Sequence, residues 1–291
     1  MHASLDSSAD CSADPRLDKV LARAPAERLH RLLNLGLLIV LALACQTAFG
    51  AEPIKLVTGE EYPPLTGRDL HSGGVLTALV TTAFARSGAS TQVHFRPWAR
   101  GYEDSLKLEY AATFPYIATD EREAGFLFSD PLYLLKIRFY VKPDSPFQQG
   151  TPEELAQAVF CLPAGYEFAG WAAAQREQLN FVRPRTLQQC YEMLRRNRVD
   201  VLISNPANVA YLAKQTRPKQ HALILRELQQ PLADVSLHLM VPRQHPQALA
   251  LLNEFNRGLR QMQRSGESTR LFANHPEYQL ILTSPPPDLS Q

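Results

Sequence analysis

The sequence predicts an α/β fold of two lobes, and three observations carry that prediction. From residue 54 onward, short β-rich runs alternate with helical ones, the order expected of an α/β sheet. Behind the N-terminal stretch stand about 240 residues of ordinary globular composition, enough for two bodies that each bury a core. Two longer β-rich runs, Leu132 to Val141 and Val235 to Val241, are placed where the chain would cross between lobes and return.

The opening segment does not read as part of that fold. Residues 1–27 are polar and lack apolar periodicity; Arg28-Leu29-His30-Arg31 then precedes an apolar run from Leu32 to Ala44, interrupted by Asn34. A basic region, an apolar region and small residues follow in the order of a secretory signal, with Ala48 and Gly50 fitting a cleavage site that leaves Ala51 as the mature start. The apolar run is short for a bilayer span. Cys45 opens a lipoprotein alternative, to which Ala42-Leu43-Ala44 is a poor match, and an uncleaved anchor is a third reading. The length of the polar leader points to a start codon downstream of Met1. The division expected is therefore 1–50 as signal and extension, 51–139 as the first part of lobe 1, 140–234 as lobe 2, 235–276 as the return to lobe 1, and 277–291 as a flexible tail rich in proline.

Formal net charge is +1, so no basic field suggests nucleic acid. Of four cysteines, Cys11 and Cys45 leave with the signal; Cys161, in a strand, and Cys190, on a helix, remain as an even pair in an oxidising compartment. They read either as one disulfide or as two buried thiols, and two thiols without a nearby His pair do not suit zinc. No cofactor is expected.

Ile54 to Thr58 is the first strand, and Glu61-Tyr62-Pro63-Pro64 ends it, because Pro-Pro forbids a continuing strand. Ligands in α/β sheets bind beyond the carboxyl ends of strands, which is where Tyr62 stands. Val75, Leu79, Ala83 and Phe84 space a core-facing helix after Gly73-Gly74. Thr91 to Arg96 is the next strand, and Pro97 is expected in the first turn of the helix beginning at Trp98. Trp98 reads as core and Arg100 as an ion-pair partner.

Tyr110 to Phe114 returns as a strand, within an apolar run that reaches Ile117, and delivers its end into a site. Thr119 caps the helix that follows, accepting from an otherwise unpaired backbone N–H. Arg122 then stands in a first turn, where the macrodipole disfavours a cation. An incoming carboxylate would resolve that conflict, since a guanidinium takes one bidentately beside N–H donors. The plainer reading pairs Arg122 with Asp120, Glu123 or Asp130 on the surface.

Beyond the first crossing, Thr151-Pro152-Glu153-Glu154-Leu155 reads as a short capped helix. The strand Ala158 to Leu162 leads through Pro163-Ala164-Gly165-Tyr166 to a helix holding Phe168, Trp171 and Ala172, and that glycine turn is a second place for an anion. Phe181 to Arg183 is a strand, Thr186 to Asn197 a helix, and Val199 to Ser204 a strand ending at Asn205, the cap of a helix with Pro206 in its first turn. After the return strand, Pro246 to Arg264 makes an amphipathic helix stopped by Gly266.

Thr119-x-x-Arg122 followed by Phe128-Ser129-x-Pro131 resembles the most recognisable motif of the family 3 extracytoplasmic solute-binding proteins, the amino-acid-binding branch of the type II periplasmic binding proteins. Tyr62-Pro63-Pro64, Pro97-Trp98-x-Arg100 and Arg198-Val199-Asp200 extend the resemblance from about Ile54 to Phe272. It implies two lobes of mixed sheet joined by two crossing strands, a monomer, and delivery of an amino acid or related carboxylate to a membrane ABC permease. It further implies Arg122 on the ligand carboxylate, Tyr62 as a wall, Thr119, Tyr116 and Ile117 beside them, and Gly165, Tyr166 and Asn205 closing from lobe 2.

Two departures matter. Asn205 stands where amino-acid binders usually place an Asp for the ligand's ammonium, and Ile117 where a Ser or Thr touches the carboxylate. Both weaken the case for an ordinary polar amino acid. A sensor module presenting its ligand to a receptor is one alternative. A dehydratase-like enzyme using Glu61 and Asp120 is another, although no G-x-S-x-G, H-E-x-x-H or P-loop occurs and the eight His lack metal spacing.

Overall fold

The computed structural model describes residues 52–215 and 224–279. The expected signal segment with Cys11 and Cys45, His221 and residues 280–291 lie outside the described residues.

Strands β1 (Ile54–Gly59), β4 (Thr91–Arg96) and β5 (Ala112–Ile117) are parallel, with β1 in the middle. Helices α1 (Val75–Arg86) and α2 (Trp98–Leu106) connect them, as parallel pairing requires. Beyond the connection at 60–74, which holds the small hairpin of β2 (Glu61–Tyr62) and β3 (Thr66–Gly67), α1 buries Leu76, Leu79, Val80, Ala83 and Phe84. A second parallel set is made by β8 (Val159–Cys161), β9 (Asn180–Val182) and β10 (Val201–Ser204), with α4 (Gly170–Ala174) and α5 (Leu187–Arg195) between them.

Two long strands join these sets. β7 (Tyr133–Val141) pairs antiparallel with β12 (Ala233–Pro242) over Tyr133 to Ile137, then with β10 over Arg138 to Tyr140. Its burial follows suit: residues alternate in and out as far as Ile137, and the last three are all buried. β12 in turn pairs with β5 from Leu237, so the sheet runs β4-β1-β5-β12-β7-β10-β8-β9, with β6 (Phe126–Phe128) against β12 and β11 (Arg226–Glu227) against β7. The carboxyl ends of β1 and β5 thereby come to one cleft with those of β8 and β10.

Helix α7 (Ala248–Arg264) lies on α1, where the rings of Phe84 and Phe255 are 5.1 Å apart. It is followed by α8 (Glu267–Asn274) and α9 (Pro276–Gln279). Cys161 and Cys190, both fully buried, form a disulfide between β8 and α5.

Three expectations need correction. Residues 151–155 form a turn rather than a helix, because the Glu154 carboxylate folds back to accept from the backbone N–H groups of Gln148, Gln149 and Gly150. Pro97 is the cap of α2, with extended ψ of 139°, and not part of its first turn. The region from 277 does not begin as a tail: Tyr278 is buried against Phe272, and its hydroxyl lies 3.4 Å from that of Tyr133.

Candidate functional site

A short helix, α3 (Asp120–Gly125), follows β5 and carries Arg122. Thr119 caps it, its hydroxyl accepting from the Arg122 N–H at 3.3 Å. This fixes the direction of the Arg122 side chain, which turns back along β5 so that Nη1 donates to the Ile117 carbonyl at 2.9 Å. The guanidinium carbon lies 5.0 Å from the centre of the Tyr116 ring, a cation–π distance. The arginine is thus held from its own side of the fold, and it lines a cavity.

That cavity lies between the two parallel sets. It is lined from the first by Tyr62, Trp98, Tyr116, Ile117 and Arg122, and from the second by Gly165, Tyr166, Glu167, Ser204 and Asn205. Leu135, Ile137 and Leu237 of the two long strands form its floor, joined by Pro115, Leu162 and Ile203. The centre of a water molecule can move through about 70 Å³ of it. One water needs roughly 10–15 Å³ by that measure, so the space suits a small solute.

Seven of the eight residues expected to bind ligand meet here: Arg122, Tyr62, Tyr116, Ile117, Gly165, Tyr166 and Asn205. Thr119 does not line the cavity; it acts through Arg122 as the cap. Trp98, expected in the core, stands in the cavity wall, edge-on to Tyr62, Tyr116 and Tyr166.

Glycine makes room for that indole from both sides. A Cβ on Gly59 would sit 2.1 Å from the Trp98 ring, and one on Gly165 would sit 2.7 Å from the Trp98 Cβ. Gly165 also has φ of +82°, a conformation that costs other residues.

Glu167 went unremarked in the sequence, although it is two residues beyond the glycine turn. Its Oε2 is 2.9 Å from Arg122 Nη2, with the two side chains 29% and 11% exposed. The surface pairing considered for Arg122 is not what occurs, and Asp130 instead pairs with Arg260 at 2.6 Å. The turn that carries Glu167 is fixed by Arg183, whose Nη2 donates to the carbonyls of Pro163 and Tyr166 and whose guanidinium lies over Phe168. Burial lowers the Arg183 pKa and the nearby Glu167 raises it, the first effect being the larger.

Two further bonds span the cavity. Asn205 Nδ2 donates to the Tyr62 hydroxyl at 3.2 Å, and the Tyr166 hydroxyl donates to the Glu61 carbonyl at 3.1 Å. Asn205 also caps α6 (Pro206–Gln215), its Oδ1 accepting from the Asn208 N–H at 3.0 Å. Burial pushes the phenol pKa of Tyr62 and Tyr166 upward and that of Tyr116 to about 12, so all three are neutral hydrogen-bonding groups at physiological pH. Ser204 Oγ and Trp98 Nε1 are buried and find no hydrogen-bond partner among the described residues. Glu61 and Asp120 are exposed and do not line the cavity. Among the described residues no group of three His, Cys, Asp or Glu side chains is placed to hold a metal ion.

The family model of bacterial extracellular solute-binding proteins, family 3, matches residues 54–276. Comparison with curated protein sequences finds no match. Among solved structures, the chain is similar to an arginine third transport system periplasmic binding protein from Legionella pneumophila, at 17% identity and TM-score 0.66, over 77% of this chain and 100% of that one. It is also similar to the amino acid ABC transporter substrate-binding protein AbpA from Streptococcus pneumoniae bound to L-arginine, at 15% identity and TM-score 0.65, over 80% and 97%. A histidine kinase sensor domain with similarity to periplasmic binding proteins matches at 16% identity and TM-score 0.66, over 77% and 96%. At these identities the likeness establishes the fold, that of the type II periplasmic binding proteins.

Proposed function

The chain belongs to the bacterial extracellular solute-binding proteins of family 3, and from that membership we propose that it captures a small carboxylate-bearing solute, an amino acid or derivative, and delivers it to an ABC permease. The observation that carries the proposal is Arg122, held by Thr119, Ile117 and Tyr116 and lining the cavity, where its Nη2 already meets one carboxylate, that of Glu167. A guanidinium so placed matches the geometry of a carboxylate, and Tyr62 and Trp98 supply apolar walls for the rest of the solute. Gly165, Tyr166 and Asn205 close from the other side. β7 and β12 are the connection about which the two sides would turn, and ligand binding would favour the closed form that a permease recognises.

We read the protein as a monomeric binder of the periplasm and not as an enzyme. The carboxylates considered for acid–base work, Glu61 and Asp120, stand outside the cavity. The sensor domain of the same fold favours one second reading, in which the liganded protein acts on a membrane receptor. Transport and sensing share the ligand step, so that step is tested first. A thermal-shift screen of the purified protein against amino acids, opines, polyamines and small carboxylates should give a shift with a carboxylate class, since ligand at a hundred times its Kd adds about 2.7 kcal/mol. Shifts confined to polyamines would contradict the reading.

A further inference from the structure

Among the described residues, Arg122 and Glu167 are the charged ones of the cavity lining, and they pair with each other at 2.9 Å. The carboxylate position on Arg122 is therefore held by a carboxylate of the protein itself, contributed from the opposite wall. Any acid that takes Arg122 must part this pair, and what becomes of Glu167 depends on the ligand. A simple carboxylate neutralises Arg122 and leaves Glu167 without its partner in a half-buried site, where an uncompensated charge is costly. A zwitterion gives each side a partner. Glu167 is held where it must be used, because Arg183 fixes the turn on Pro163 and Tyr166, and its own Oε1 accepts from the Phe168 N–H at 3.3 Å. Arg183 is a second cation near Glu167, but its Nη2 is taken by those carbonyls, its Nε is buried without a hydrogen-bond partner among the described residues, and it does not line the cavity.

The remaining lining narrows the class further. One cation and one anion sum to zero, so a ligand with an additional charge finds nothing to balance it. The space beyond is bounded by Trp98, Ile117, Leu135, Ile137, Ile203 and Leu237. Resting on the carboxylate reading above, we propose that the ligand is a net-neutral zwitterion with an apolar remainder, and that Glu167 is the residue that receives its ammonium group. The acid that selects the ammonium is thus on the glycine turn, at Glu167, while Asn205 serves as a helix cap and a bond to Tyr62. Ser204 Oγ, buried in the lining without a partner among the described residues, is available to the same polar end of the ligand.

Calorimetric titration of the purified protein with matched pairs tests this: L-leucine against 4-methylpentanoate, L-phenylalanine against 3-phenylpropanoate, and L-arginine as the charged control. The expected result is an amino acid bound at least about tenfold more tightly than its deaminated partner, with arginine weaker than either neutral amino acid. In Glu167→Gln that ratio should collapse toward one while the deaminated acid binds as well as, or better than, in the wild type. Glu167→Asp, which keeps the charge, should retain the preference, and a melting curve checks each variant for folding. Equal binding of both members of a pair by the wild type, or an unchanged ratio in Glu167→Gln, overturns the role of Glu167 and leaves the carboxylate reading standing. Arginine as the best ligand overturns the net-neutral class. Binding of no member by the wild type overturns both the inference and the reading beneath it.

Discussion

Arg122 Nη2 stands 2.9 Å from Glu167 Oε2, and this contact joins the helix after β5 to the turn after β8 across the cavity. Together with the Asn205–Tyr62 and Tyr166–Glu61 hydrogen bonds, it ties the two sides to each other. Each involves a residue of the cavity lining, so a ligand that enters must compete with the contacts that close the site.

Gly165 is the position where the turn, the indole and the ligand space meet. Gly165→Ala places a methyl group 2.7 Å from the Trp98 Cβ and imposes φ near +82° on alanine. The expected outcome is a loss of about 1–3 kcal/mol in stability together with weakened ligand binding. Urea denaturation and a titration on the same variant check the two effects.

The Cys161–Cys190 bond closes a loop with a sequence separation of 29 in a buried cluster whose own residues do not line the cavity. Chain-entropy reasoning for a loop of that size gives about 3–4 kcal/mol. Replacing both cysteines with alanine, or reducing the bond, should lower stability by roughly 2–5 kcal/mol, seen as a shifted denaturation midpoint. Ligand affinity under conditions where the variant is folded should be unchanged.

Acid should weaken the fold through His238. Burial lowers its pKa from the ordinary 6.5, outweighing the Ser129 and Asp130 backbone groups and the Asp130 charge that raise it. Its ring nitrogens lie 2.7 Å from the Ser129 carbonyl and 2.6 Å from the Ser236 hydroxyl. His275 is lowered in the same direction, mainly by burial. Between the folded pKa and 6.5 the unfolded chain binds more protons, so stability rises with pH across that window. It is fully present above 6.5 and is lost as pH falls through the folded value. Denaturation midpoints at pH 7.5 and 5.5 should differ in that sense, and by less in His238→Gln; a midpoint independent of pH would remove His238 from the account.

Much of the fold was legible because its signals are local. Thr186 with Gln189 forms a reciprocal cap at the start of α5, and the strand Thr91 to Arg96 is found at the residues expected for it. The turn at 151–155 misled because an acidic residue three places after a Thr can cap a helix or reach back to a loop, and the chain geometry around Gly150 decides which. At the site, Arg122 and Tyr62 were legible from motifs, and Gly165 and Asn205 from their places at strand ends. Trp98 was not, because a tryptophan after Pro97 reads the same whether its indole faces a core or a cavity. Glu167 was missed for a different reason: its partner is 45 positions earlier, and nothing near either residue in sequence records the contact. The one local hint was that a glycine turn aims the residues following it at the same cleft.

Under the proposed function, Arg122 clamps the carboxylate of the captured solute. This is tested most directly by titrating the best ligand from the screen into wild type and Arg122→Ala, with a melting curve to establish that the variant is folded. The expected result is a folded variant whose affinity falls by about a hundredfold or more, since a charge-assisted bidentate contact is lost. A folded Arg122→Ala that binds the same carboxylate with wild-type affinity would contradict it.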